Sequence, residues 1–206
     1  MQPPPPVVCL GEALVDRLGP LGGDPALDQP VDDRLGGAPA NVACGLARLG
    51  TPVVFVGRVG DDFIGKQFSA LFRQRGVENS GLQRDPDRPS RIVLVRRSQD
   101  GERQFQGFAG DGGQGFADQA LGPVSLPQGA RWLLVGTIPL ATDPSASTLK
   151  AAFDQARQLQ ISIALDVNWR PTFWDAAADP AAGPSSHAIA AIRPLLDQAA
   201  LSLIHI

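Results

Sequence analysis

The stretch Gly36-Gly37-Ala38-Pro39-Ala40-Asn41-Val42-Ala43-Cys44-Gly45-Leu46-Ala47-Arg48-Leu49-Gly50 decides the fold. It reads as a glycine turn entering an amphipathic helix that stops at another glycine. Pro39 suits a first helical position, and Gly50 suits the residue just past the end. Val42, Leu46 and Leu49 fall at i, i+4 and i+7, the spacing of one buried stripe. The paired glycines let a ligand approach the backbone at the helix N-terminus, where unpaired N–H groups and the dipole favour oxygen-rich ligands. Asn41 adds a side chain that both donates and accepts hydrogen bonds. No Gly-Lys-Ser/Thr follows, so this is not a Walker loop, and the stretch is not Gly-x-Gly-x-x-Gly either. Two readings remain: a small-molecule pocket, or a plain turn before a helix.

The flanks extend the pattern. Residues 7–10 are a short apolar run that reads as a buried strand. Residues 19–35 are rich in Gly, Pro and Asp, hence loop or weak edge strand. Residues 53–59 form a β-branched strand. Asp62 then caps a helix with Ile64, Phe68 and Leu71 on one face, ending at Gly76. Such strand–helix alternation predicts an α/β fold with a parallel sheet. Residues 91–97 and 103–108 flank Asp100-Gly101, a strong hairpin signal. Further on, residues 132–135 read as a strand, 147–158 as a helix, 161–165 as a strand buried on both faces, and 188–198 as a helix. The hairpin therefore reads as an insertion on an α/β body.

Size and composition bound the function classes. A chain of 206 residues with 43% apolar content and a net charge of −3 describes an ordinary globular protein with a real core. The mild acidity leaves no electrostatic footprint for nucleic acid or a membrane surface. No apolar run reaches membrane-spanning length, and residues 1–6 are a proline-rich tail without a signal-peptide core. Cys9 and Cys44 are too few for a disulfide framework and lack metal-ligand spacing, as do His187 and His205. A reducing cytoplasm and no protein-held metal are expected.

Gly36 to Gly50, followed by Gly57-Arg58-Val59-Gly60-Asp61-Asp62-Phe63-Ile64-Gly65, resembles the first signature of the ribokinase-like (PfkB) carbohydrate kinases, closest to the fructokinase branch. The resemblance implies a three-layer, Rossmann-like α/β/α body over residues 7–206, with small β-lid strands within about 17–35 and 91–108. It also implies an ATP-dependent transfer to a sugar hydroxyl, with Mg2+ arriving on the nucleotide. Asp16, just past the first strand, lies where α/β sheets place ligands. A carboxylate there can accept two sugar hydroxyls, and the resemblance assigns it to the sugar together with Gly36, Gly37 and Asn41. Asp166-Val167-Asn168-Trp169-Arg170 likewise follows a buried strand. Arg170 can fork onto phosphate oxygens, and Asn168 can bind phosphate or a metal-bound water. The Asp-x-Asn-x-Arg pattern is similar to the nucleotide-side element of fructokinases and ketodeoxygluconate kinases.

In the lid, alternation puts Arg103 and Phe105 on one face and Phe108 on the other. Arg103 and Phe108 are candidates for the substrate. Ketodeoxygluconate kinases follow an aromatic pair here with an Arg for the substrate carboxylate. This chain has Ala109 and Gly110 instead, which points to a neutral hexose such as D-fructose. A ribokinase, a ketodeoxygluconate kinase and a non-catalytic sugar-binding module are the alternatives. Relatives form lid-to-lid dimers, so a homodimer is a further expectation.

Phosphoryl transfer needs a base on the attacking hydroxyl and donors for the developing charge. In the family both come from a later Gly-Ala-Gly-Asp segment, which these 206 residues do not contain. Gly110-Asp111-Gly112-Gly113 stands too early in the chain. The resemblance thus predicts the N-terminal two-thirds of a kinase, catalytically incomplete, with no catalytic residue of its own.

Overall fold

The computed structural model describes residues 4–111, 113 and 115–205; residues 1–3 of the proline-rich tail, Gly112, Gln114 and Ile206 lie outside the described residues. The elements run β1 (Val7–Leu10), β2 (Leu14–Leu21), β3 (Asp32–Gly36), α1 (Ala38–Arg48), β4 (Val53–Gly60), α2 (Phe63–Arg75), β5 (Glu78–Asp85), β6 (Ile92–Arg97) and β7 (Arg103–Ala109). After a 3-10 turn at Ala117–Ala120 come β8 (Trp132–Gly136), a second 3-10 turn (Ile138–Ala141), α3 (Ser145–Gln158), β9 (Ser162–Asn168), α4 (Pro171–Trp174), α5 (Ser186–Leu196) and β10 (Leu201–His205).

Six strands make the central sheet in the order β10-β9-β8-β1-β4-β5, every pair parallel. Successive side chains of a strand point to opposite faces, and β1 shows the consequence. Cys9 packs with Phe55, Phe68 and Phe72 under α1 and α2. Val8 and Leu10 pack with Leu133, Phe153 and Leu165 under α3 and α5. Helices thus cover both faces, and the expected three-layer body is present. A second sheet, β3-β2-β6-β7, forms the lid. Its β6–β7 pair is the expected hairpin, while β2 and β6 run parallel.

Three expectations change, and one strand appears that was not anticipated. The Val42, Leu46 and Leu49 stripe meets the core only at Leu46, which is half-buried against it; Val42 is 38% exposed and Leu49 82% exposed. The buried side of α1 is Pro39, Ala40 and Ala43 instead. Small side chains there bring the helix backbone close to the sheet, where bulk comes from Phe55, Phe68 and Phe72. Second, the lid begins earlier than expected: β2 starts at Leu14, so Asp16 stands within a lid strand rather than in a loop. The unanticipated strand is β5, added at the edge of the sheet without an alternating apolar pattern. Third, strict alternation in β7 fails, because the pairing shifts from Leu94↔Gly107 to Val95↔Phe105. Gln106 is an extra residue there, and Gly107 takes φ +151 at this bulge. Phe105 and Phe108 therefore share a face, with ring centroids 5.1 Å apart.

Candidate functional site

Parallel sheets bind ligands beyond the carboxyl ends of their strands. Here β1, β8 and β9 end at a cleft of about 430 Å3, roofed by the lid. Leu14, Asp16 and Leu18 of β2 and Val93 and Val95 of β6 supply the lid wall, with Arg103 and Phe105 from β7. Gly37, Ala38 and Asn41 come from the entry of α1, while Asn168, Arg170 and Phe173 come from the end of β9 and α4. Both halves of the expected site thus meet in one cavity.

Local backbone chemistry explains the α1 side. Gly37 is the N-cap residue at φ 99 and ψ 130, with no side-chain cap. A Cβ on Gly37 would collide with the Glu12 carbonyl oxygen, so only glycine lets this turn pass the β1–β2 junction. Gly36 pairs with Leu14 across β2–β3, and a Cβ on it would lie 3.4 Å from Asp16 Oδ2. It lies behind Asp16 instead of lining the cleft. Asn41, exposed on the first turn, faces the cavity, and its own N–H donates to the Gly37 carbonyl at 2.9 Å.

Asp16 is half-buried on the lid strand. Burial pushes its carboxyl up from the usual value, while the Arg103 and Arg34 guanidinium groups pull it down. Arg103 itself is exposed at the start of β7 and lines the cleft. Phe108 does not line the cleft; it packs behind Phe105 and edge-on to Phe173 at 4.9 Å. Asn168 ends β9 and lines the cavity, with its Oδ1 buried and unpartnered. Arg170 is the N-cap residue of α4, exposed, with Nη1 donating to the Trp169 carbonyl at 2.7 Å. Trp169 and Trp174 pack on each other at 6.0 Å and hold this loop.

Glu12 was not a candidate from sequence, although it stands at the base of the cleft. It is buried, with Oε1 accepting from the Ala38 N–H at 3.2 Å and Oε2 without a partner. Burial drives its carboxyl from 4.5 to about 7, with the nearby Asp118 and Asp166 carboxylates adding to the rise and backbone donors opposing it. The available signal was a carboxylate within the otherwise apolar run from Val7 to Val15. Among the described residues, no group of three His, Cys, Asp or Glu side chains could hold a metal ion.

The family model of the pfkB family carbohydrate kinases matches residues 5–191. The chain belongs to this family. It is 37% identical over 172 residues to a fructokinase of Klebsiella pneumoniae, covering 82% of this chain and 53% of that one. It is 32% identical over 177 residues to probable fructokinase-6, chloroplastic, of Arabidopsis thaliana, covering 85% and 46%. The chain spans about half the length of the relatives it matches. Fructokinase from Vibrio cholerae O395, in fructose-, ADP- and calcium-bound form, superposes with a TM-score of 0.79 at 29% identity, over 97% of this chain and 60% of that one. The fructokinase from Xylella fastidiosa with bound ATP gives 0.73 at 28% identity, over 91% and 58%. These matches support a ribokinase-like α/β fold with its lid.

Proposed function

We propose that the cleft binds a neutral hexose, D-fructose, as acceptor for the γ-phosphoryl group of ATP at its 6-hydroxyl. The observation that carries this reading is the convergence of Asp16, Asn41, Asn168 and Arg170 on one cavity at the strand ends. Asp16, with Gly37 and Asn41, accepts and orients sugar hydroxyls from the lid and α1 side. Arg103 and the ring of Phe105 close over the sugar, with Phe108 and Gly36 supporting them from behind. Arg170 offers a fork to phosphate oxygens, and the free Asn168 Oδ1 suits a donor such as a water bound to the Mg2+ that travels with the nucleotide. That ion supplies charge neutralisation at the phosphates. The general base and anion hole are assigned to a Gly-Ala-Gly-Asp segment that these 206 residues do not contain, so this chain binds sugar without turning it over. Pairing of two copies through the lid, in a reducing cytoplasm, completes the proposal. Among the described residues no helix is long and apolar enough to cross a membrane.

Calorimetry with D-fructose, D-ribose and ketodeoxygluconate tests the reading. Fructose should bind tightest, and Asp16→Ala should weaken it at least ~100-fold, since two charge-assisted hydrogen bonds at about 1.5–3 kcal/mol each are lost. Preference for the acid would overturn the neutral hexose. A coupled assay with ATP should show no turnover; turnover by the 206-residue chain would refute its catalytic incompleteness.

A further inference from the structure

One buried charge beside the cleft has no part in the sugar or phosphate contacts. Arg91 stands immediately before β6, and its side chain is 3% exposed. It donates through Nε to Asp118 Oδ2 at 2.7 Å and through Nη2 to Asp118 Oδ1 at 2.9 Å, a two-pronged pair with a carboxylate only 7% exposed. Three rings surround the guanidinium: its Cζ lies 5.0 Å from the centroid of Phe108, 4.5 Å from Phe116 and 4.7 Å from Phe173. The space left between this pair, Glu12 and Phe173 is about 10 Å3, no more than one water.

These partners come from separate parts of the chain. Arg91 and Phe108 belong to the lid, Phe116 and Asp118 to the 3-10 turn of the body, and Phe173 to α4. Phe105 packs on Phe108, and both Phe105 and Phe173 line the cleft. Arg170 is tied to the same turn, because its carbonyl accepts from the Phe173 N–H at 3.0 Å. Replacing a buried ion pair by an apolar core of equal volume is commonly neutral or stabilising. Stability alone therefore does not account for a charge at the junction of lid, body and phosphate-side loop. Fixed geometry does: a guanidinium fork sets direction as well as distance.

We infer that the Arg91–Asp118 pair, caged by Phe108, Phe116 and Phe173, is a positioning latch that holds the lid and the Asn168–Arg170 loop in one arrangement around the sugar. Arg91 acts through Phe105 and Phe173 and does not touch the substrate. The fork is turned onto Asp118, so it is not presented to a substrate carboxylate. This rests on the cleft being the sugar site, and the test separates the two ideas.

The double substitution Arg91→Met with Asp118→Leu fills the same space without charge. It should melt at or above the temperature of the unsubstituted chain. Fructose should nevertheless bind at least ~10-fold more weakly, and the fructose-induced change in emission from Trp169 and Trp174 should disappear. Arg91→Lys keeps the charge opposite Asp118 but loses the fork; it should retain the fold and lose part of the affinity. A folded double variant with unchanged affinity and emission response would overturn the latch. Should the double variant not fold, unchanged binding and emission in Arg91→Lys would overturn it equally. Should the unsubstituted chain bind no sugar, the site reading fails and amide hydrogen exchange decides the latch. Exchange should then rise together in β6–β7 and residues 168–174 of the double variant, or of Arg91→Lys where that alone folds; no rise in either segment would overturn the latch.

Discussion

Glu12 shows at the scale of one residue how the cleft strains against its chemistry. One oxygen serves the first turn of α1, and the other faces Gly136, where a Cβ would lie 3.2 Å from it. Burial raises the carboxyl from 4.5 to about 7, so the folded chain holds a proton that the unfolded chain releases across that window. The sign follows: the contribution of this group is full below about pH 4.5, falls as pH rises to about 7, and is level above it. The distance from 4.5 to about 7 limits the effect to about 3 kcal/mol. Glu12→Gln should flatten this part of the stability profile, read as urea midpoints between about pH 4.5 and 8. An unchanged slope would assign the titration to another group. Asp16, Asn168 and Arg170 were legible because each stands at or beyond an apolar strand. Glu12 was harder to see, because its burial depends on Gly136, a residue distant in sequence.

At the scale of elements, the beginning of α2 is tied to the approach to the lid. Asp62 accepts from the Gly65 N–H at 2.8 Å as the helix cap, and from the Ser90 N–H at 2.7 Å and hydroxyl at 2.9 Å. The Ser90 hydroxyl in turn accepts from the Gly60 N–H at 3.0 Å. One carboxylate thus joins the end of β4, the start of α2 and the crossover into β6. Asp62→Ala removes a cap worth about 1 kcal/mol and leaves the Ser90 N–H without its acceptor, so a loss of about 2 kcal/mol or more is expected by chemical denaturation. A loss under about 0.5 kcal/mol would show that the junction does not depend on this residue. The cap was readable from Asp62 and the later Gly76, which takes φ 75 at the helix end. Its link to Ser90 was not, since nothing in a local pattern brings residues 28 positions apart together.

On the scale of the whole molecule, the larger sheet presents an edge at β10, paired on one side with β9. Leu201 and Leu203, two apart on that strand, are 53% and 51% exposed. An apolar edge of this kind invites pairing between chains. The 206-residue chain should therefore self-associate with rising concentration, and Leu203→Lys should reduce this in light scattering; equal association in both would place the contact elsewhere. The sequence by itself determined the parallel α/β body, the hairpin, both caps of α2 and the family, because strand burial, turn glycines and capping act over a few residues. Tertiary structure decided which side of α1 is buried, since small residues win where a helix approaches a sheet already filled by phenylalanines. It also decided that Phe105 and Phe108 share a face, because the bulge at Gln106 and Gly107 is set by pairing with β6. The joining of Arg91, Asp118 and three rings belongs to the same class: a buried charge is tolerable only where separate segments converge to neutralise it, and that convergence exists only in the folded chain.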